Sequence, residues 1–75
     1  MQPKLSIRFF FNSGDSEEPV HVHVERGDDI AKFWLEPARL QMSRGFSRVE
    51  ISNINKIINE HHLRLLEAWN EYFGS

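Results

Sequence analysis

Apolar and polar residues alternate along the first third of the chain, and the alternation predicts β-strands. Leucine, isoleucine and phenylalanine recur at every second position of 4–11, the pattern of a strand with one buried face. The pattern returns in 20–26, where three valines share one face and His21, His23 and Glu25 share the other, because successive side chains of a strand point to opposite faces. We therefore predict two strands, the second apolar on one face and titratable on the other.

Turn-forming residues mark the ends of these strands. Residues 12–19 contain no large apolar side chain and three acidic ones, which predicts an exposed acidic loop. Residues 27–29 begin with a glycine that can adopt positive φ, so they predict a hairpin to a third strand. That strand, at about 29–36, is apolar on both faces, as a central strand would be, and Pro37 ends it.

A short fourth strand is predicted at 39–42, with Leu40 and Met42 facing the core. The next segment carries a capping box, in which Ser47 is the N-cap and Glu50 occupies the third helical position. Phe46, before the cap, can pack onto the first turn of this helix as a hydrophobic staple.

Apolar residues recur at helical spacing from the first turn nearly to the end of the chain, where Gly74 can terminate the helix. One straight helix over 48–73 would be about 39 Å long, whereas a globule of this size is about 29 Å across. We therefore predict a bend at 60–63 that divides the helix in two; the alternative is a continuous helix whose last turns protrude and are covered by a partner. The predicted fold class is α+β: an antiparallel sheet of three or four strands followed by C-terminal helical segments packed on one face.

The composition limits the classes of protein to which this chain can belong. With 75 residues the chain forms a single small domain, 1–75. It has no cysteine, which excludes disulfides and thiolate metal sites and fits a reducing cytoplasm. No apolar run approaches the roughly 20 residues that cross a bilayer. We expect a cytoplasmic protein without a membrane partner.

The net charge of the chain bears on whether the protein binds nucleic acid. A formal net charge of −2 argues against a broad nucleic-acid surface, which needs several Lys or Arg side chains on phosphates. A small basic patch at Arg39, Arg44 and Arg48 leaves an anion or nucleic-acid contact open, and the simpler interpretation is that these arginines are solvated.

His21 and His23 are the candidate residues for metal binding or catalysis. Their Cβ atoms lie about 6.6 Å apart on one strand face, so both rings could reach one metal ion. Zinc needs a third or fourth ligand, which Glu25, His61 or His62 would supply. The simpler interpretation is that both are half-exposed strand residues or hydrogen-bond a carboxylate, so we predict no cofactor, with zinc as the alternative.

The same pair could instead act in catalysis or in binding. As a general acid and base on a phosphodiester, His21 and His23 would need Arg8 or Arg26 to hold the phosphate. The chain is acidic and no lysine flanks the strand, so we do not assign an enzymatic activity.

The binding hypothesis rests on two large aromatic residues. Phe10 and Trp34 are expected on the sheet face opposite the core, together with His21 and His23, and aromatic residues are enriched in interface cores. We predict a protein-interaction module that binds a partner or a second copy through this face and a sheet edge. A small histidine-dependent nuclease or metal-dependent hydrolase is the alternative.

The residues 19–25, together with Phe9 and Asp15, resemble a family of small, mostly bacterial proteins known only as a domain of unknown function, number four-one-six-zero. Its members share an aromatic first strand, an acidic loop residue and a Pro-Pro-His-x-His-x block, in which Val20 here stands at the second proline. His61, Leu65 and Trp69 resemble a helix of the family that carries His, Leu and Trp. Family genes often lie beside a second small protein in toxin-antitoxin-like pairs. The resemblance therefore implies a protein partner.

Overall fold

Four antiparallel strands and two C-terminal helices make up the fold that the computed structural model describes for residues 6–74. The strands, in the sheet order β1-β2-β3-β4, and the helices are β1 Arg8–Phe10, β2 His21–Arg26, β3 Asp29–Leu35, β4 Ala38–Arg44, α1 Arg48–Glu60 and α2 His62–Phe73. The predicted α+β class is confirmed. The first part of the predicted first strand, residues 4 and 5, lies outside the described residues.

The β2–β3 hairpin forms as predicted and sets the two faces of the sheet. Gly27 turns the chain with a φ of 59°. Val22 pairs with Phe33 and Val24 with Ala31, so the apolar residues of both strands lie on one face. These residues and Leu35 form the core with Ile54 and Ile58 of α1.

The fourth strand is longer than predicted, and the prediction that both its apolar residues face the core is wrong. Met42 pairs with Lys32 and Leu40 pairs with the next residue, Phe33, because a bulge between these pairs leaves Gln41 as an extra residue. An extra residue shifts the alternation of faces by one position. Leu40 and Met42 are both exposed, and Met42 lines the face opposite the core beside Lys32.

The predicted capping box is present, and so is the predicted bend. Ser47 and Glu50 form the capping box at the start of α1. The helical path breaks at His61, whose φ and ψ are −113° and 24°. The ring of His62, the first residue of α2, hydrogen-bonds the carbonyl of Leu35 at the end of β3. This contact ties the start of α2 to the sheet.

The second helix packs along the sheet near β1. Trp69 is buried and its ring meets Phe11 edge-on at 5.5 Å, and Leu65 packs against the core. Neither described helix combines the length and the hydropathy that a membrane-crossing helix requires.

Candidate functional site

Asp15, His21 and His23 form a cluster in which their potential metal-ligand atoms all lie within 4.8 Å of one another. β2 presents the two histidines, and a single 3₁₀ turn, Asp15–Glu17, directs Asp15 toward them. Oδ2 of Asp15 lies 3.1 Å from Nε2 of His21 and 2.9 Å from Nε2 of His23. The loop 12–19 is therefore not fully exposed as predicted, since Asp15 is only 7% exposed.

Backbone groups of the loop hold the carboxylate in place. The Asn12 N–H donates to Oδ2 of Asp15 at 2.8 Å, and the Asp15 N–H donates to the Asn12 carbonyl at 3.0 Å. Burial by itself would raise the pKa of Asp15. The Asn12 hydrogen bond and the charge interactions with His23 and His21 outweigh burial and place the pKa below its ordinary value. Asp15 is therefore held as a carboxylate facing two imidazoles.

His21 is completely buried, and its hydrogen-bonding pattern is unusual. Its Nδ1 lies 2.8 Å from the carbonyl oxygen of Pro19. Its Nε2 lies 3.1 Å from Oδ2 of Asp15 but has no hydrogen-bond partner among the described residues. Trp34 and Trp69 pack against the ring at centroid distances of 5.8 and 5.3 Å. The buried Nε2 is thus a polar atom directed at the cluster.

The sheet face opposite the core carries the predicted aromatic residues. Phe10 stacks on His23 with ring centroids 5.3 Å apart and an angle of 21° between the rings. The ammonium group of Lys32 lies 5.1 Å from the centre of the Trp34 ring and pairs with Glu18 at 2.6 Å. The structure therefore brings Phe10, Trp34, His21 and His23 together, although His21 is not accessible to a partner.

A second feature lies at the free edge of the sheet, between β1 and the helices. We call it the β1 groove. It consists of two adjoining depressions of about 210 Å³ and about 290 Å³ that share Phe9 and Leu65. The first is lined also by Ile57, His61 and Arg64, and the second by Phe10, Phe11, Val22, Ala68 and Tyr72.

The sequence patterns did not reveal the β1 groove, because it depends on where α2 packs. The available signal was the run of three phenylalanines at 9–11. A strand with one buried face can bury only alternate residues of such a run.

Other predicted site residues lie outside the cluster. Glu25 pairs with Arg8 at 3.2 Å, and His61 lines the β1 groove. Arg26 pairs with Asp29 and Glu50. The arginines of the predicted basic patch are all exposed: Arg39, Arg44 and Arg48.

Searches of the curated proteins and of the solved structures found no match for this chain. The comparison of the chain with protein families found a match. Residues 5–70, most of the chain, match the family described as Domain of unknown function (DUF4160). This match confirms the resemblance that the His-x-His block suggested, and the chain belongs to this family.

Proposed function

We propose that this protein is a protein-interaction module that binds an extended segment of a partner along β1. The observation that carries the proposal is the apolar β1 groove beside an edge strand. The sheet face predicted for binding supports the proposal less well. One of its four predicted binding residues, His21, is fully buried, so a partner cannot contact it.

Strand β1 is suited to accept another strand. It is the first strand in the order β1-β2-β3-β4 and pairs only with β2 among the described residues. An edge strand has unpaired N–H and C=O groups on its outer side. An added strand would use these groups, and its alternate side chains, about 6.6 Å apart, would enter the two depressions.

The lining of the groove defines the chemistry of the occupant. The larger depression is lined by aromatic and aliphatic side chains, which favours apolar residues at alternate positions of the segment. Arg64 and His61 lie at the smaller depression. Arg64 forms no ion pair within residues 6–74, so an acidic residue of the segment would complement it.

The source of such a segment follows from the family resemblance. Family genes often lie beside a gene for a second small protein, and we propose that this neighbour is the partner in a toxin-antitoxin-like pair. We propose that both act in the cytoplasm.

The contacts of the histidines and arginines weigh against the alternative of RNA cleavage. A general acid or base must reach its substrate, whereas His21 is buried and its Nδ1 is bound to Pro19. Arg8 and Arg26, the predicted phosphate ligands, are both engaged by carboxylates. These contacts favour binding over nuclease chemistry.

The test is a selection of random ten-residue peptides on the immobilised chain, followed by titration of the enriched peptides. We expect alternating apolar residues with an acidic residue, and Kd values of about 10 μM. Ile57→Glu places a charge in the smaller depression, where the native side chain is 37% exposed. Tyr72→Glu does the same in the larger one. Each should weaken binding at least about tenfold.

The matched control is Leu63→Glu, which adds the same charge to α2 at a side chain that is 75% exposed and lines neither depression. Its affinity for the peptides should equal that of the wild type. Peptides that bind equally well to the Ile57→Glu and Tyr72→Glu variants would contradict the proposal, and so would the absence of any peptide with a Kd below 1 mM, roughly −4 kcal/mol of binding.

A further inference from the structure

Independently of the β1 groove, we propose that Asp15, His21 and His23 bind one divalent transition metal ion, with zinc as the ion that fits best. Two imidazoles and a carboxylate, without thiolate, are ligands that zinc accepts. All three come from adjacent parts of the chain, the 3₁₀ turn and β2.

The distances fit such a site. Two ligand atoms on a tetrahedral zinc ion, each about 2.0 to 2.2 Å from the metal, lie about 3.3 Å from each other. Oδ2 of Asp15 is 3.1 Å from one histidine Nε2 and 2.9 Å from the other. All three ligand atoms lie within 4.8 Å of one another, so binding the ion requires the side chains to adjust until each pair is about 3.3 Å apart.

The protonation of His21 provides the chemical reason for a cation. The Pro19 carbonyl can only accept a hydrogen bond, so Nδ1 of His21 carries the hydrogen. In the neutral ring Nε2 then holds a lone pair, which is buried, close to the oxygen of Asp15 and without a hydrogen-bond partner in the part of the chain that the structure describes. Two buried acceptors facing each other are unfavourable unless a cation lies between them.

A metal ion meets this requirement better than a proton does. A proton on Nε2 of His21 would join that ring to Asp15 alone. A metal ion can accept the lone pairs of all three side chains at once, provided that the hydrogen that Nε2 of His23 donates to Asp15 moves to Nδ1 of that ring.

The outer contacts are those that orient metal ligands in proteins. Pro19 fixes the tautomer of His21, the Asn12 N–H fixes the carboxylate, and Phe10 stacks on His23. The side-chain amide of Asn12 lies 3.3 Å from Nε2 of His23, and the His23 side chain is partly exposed. With three protein ligands, a fourth position remains for water or a polar group.

The test uses the full chain at pH 7.5. Zn²⁺ binding is followed by calorimetry, and Co²⁺ binding by the visible absorption of tetrahedral cobalt. We expect one ion per chain and micromolar or tighter affinity. Asp15→Ala and His23→Ala should each weaken binding at least about 100-fold. Losing a residue that only hydrogen-bonds a metal ligand costs a metal site up to about 100-fold in affinity, and these two residues are proposed as the ligands themselves.

His61→Ala is the matched control, since it removes an exposed histidine outside the cluster; it should bind as the wild type does. Circular dichroism verifies that each variant is folded, and His23→Gln replaces His23→Ala if the latter is not. Absence of binding below millimolar Zn²⁺ would overturn the proposal.

Binding that survives Asp15→Ala, or that is lost with His61→Ala, would overturn it as well. Nitrogen NMR of the rings gives a further readout: zinc should shift Nε2 of His21 and leave Nδ1 protonated. A His21 ring protonated on both nitrogens and indifferent to zinc would show that a proton occupies the site instead.

Discussion

His21 and Asp15 show at the residue scale how two polar side chains are accommodated in the interior of a small domain. Burial of a polar group is unfavourable unless hydrogen bonds or a counter-charge replace water. The Asn12 N–H donates a hydrogen bond to Asp15, and Nδ1–H of His21 donates one to the Pro19 carbonyl. The remaining atom, Nε2 of His21, has no such partner within residues 6–74, and this is the basis for the proposed metal site.

The sequence pattern predicted two of the three residues of this cluster. Strand alternation places His21 and His23 on one face, because their spacing is local. Asp15 arrives through a loop whose path depends on hydrogen bonds between Asn12, Asp15 and Glu18. Alternation carries no information about such a path, and the loop was therefore predicted to be exposed.

Gly45 gives a prediction at the same scale. It follows β4 with a φ of 97°, and a Cβ there would overlap the Asp29 carboxylate and lie 3.1 Å from the Asp29 Cα. Gly45→Ala should lower the free energy of unfolding by about 1 to 3 kcal/mol, because both the backbone conformation and the space oppose a side chain. Urea denaturation measures this effect.

The control for this prediction is Gly14→Ala. Gly14 has a φ of −85°, and a Cβ there meets nothing within 4 Å. Its unfolding midpoint should equal or slightly exceed that of the wild type. Equal destabilisation by the two substitutions would contradict the explanation.

At the scale of the elements, short sequence motifs correctly predicted the features that depend on contacts within a few residues. The Ser47 capping box and the Gly27 turn are encoded within four residues, and both occur. The bulge in β4 and its effect on Leu40 and Met42 arise from pairing with β3. The bend at His61 was predicted only from the length of the helix, whereas the His62 contact with Leu35 that accompanies it is tertiary.

The start of α1 yields a prediction about pH. The hydrogen bond from the Ser47 N–H, followed by that from Arg26, lowers the pKa of Glu50 below 4.5. A carboxyl group with a lowered folded-state pKa contributes stability above its unfolded pKa and loses that contribution as the pH falls through the folded value. Glu50→Gln should therefore reduce the loss of stability between about pH 5 and pH 3.

Urea unfolding at a series of pH values measures this dependence. Glu67→Gln, which removes the same charge at an exposed position of α2, serves as the control and should retain the steeper dependence of the wild type. Identical pH profiles for wild type and Glu50→Gln would show that the capping carboxylate does not contribute to acid stability.

At the scale of the whole molecule, the helices cover one face of the sheet incompletely. The described fold measures 44 × 21 × 19 Å, and its core lies between α1 and the central strands. α2 packs beside β1 through Leu65 and Trp69, yet leaves the free edge of β1 open. The β1 groove results from the arrangement of β1, α1 and α2, and no single segment of the sequence could have predicted it.

The most direct test of binding along β1 is amide hydrogen exchange of the chain, alone and saturated with a selected peptide. We expect exchange at Arg8–Phe10 to slow at least about tenfold, because strand addition engages the free backbone groups of this edge. The opposite edge, Ala38–Arg44, should exchange at an unchanged rate. Slowing confined to Ala38–Arg44, or no slowing at either edge, would contradict binding at the β1 groove.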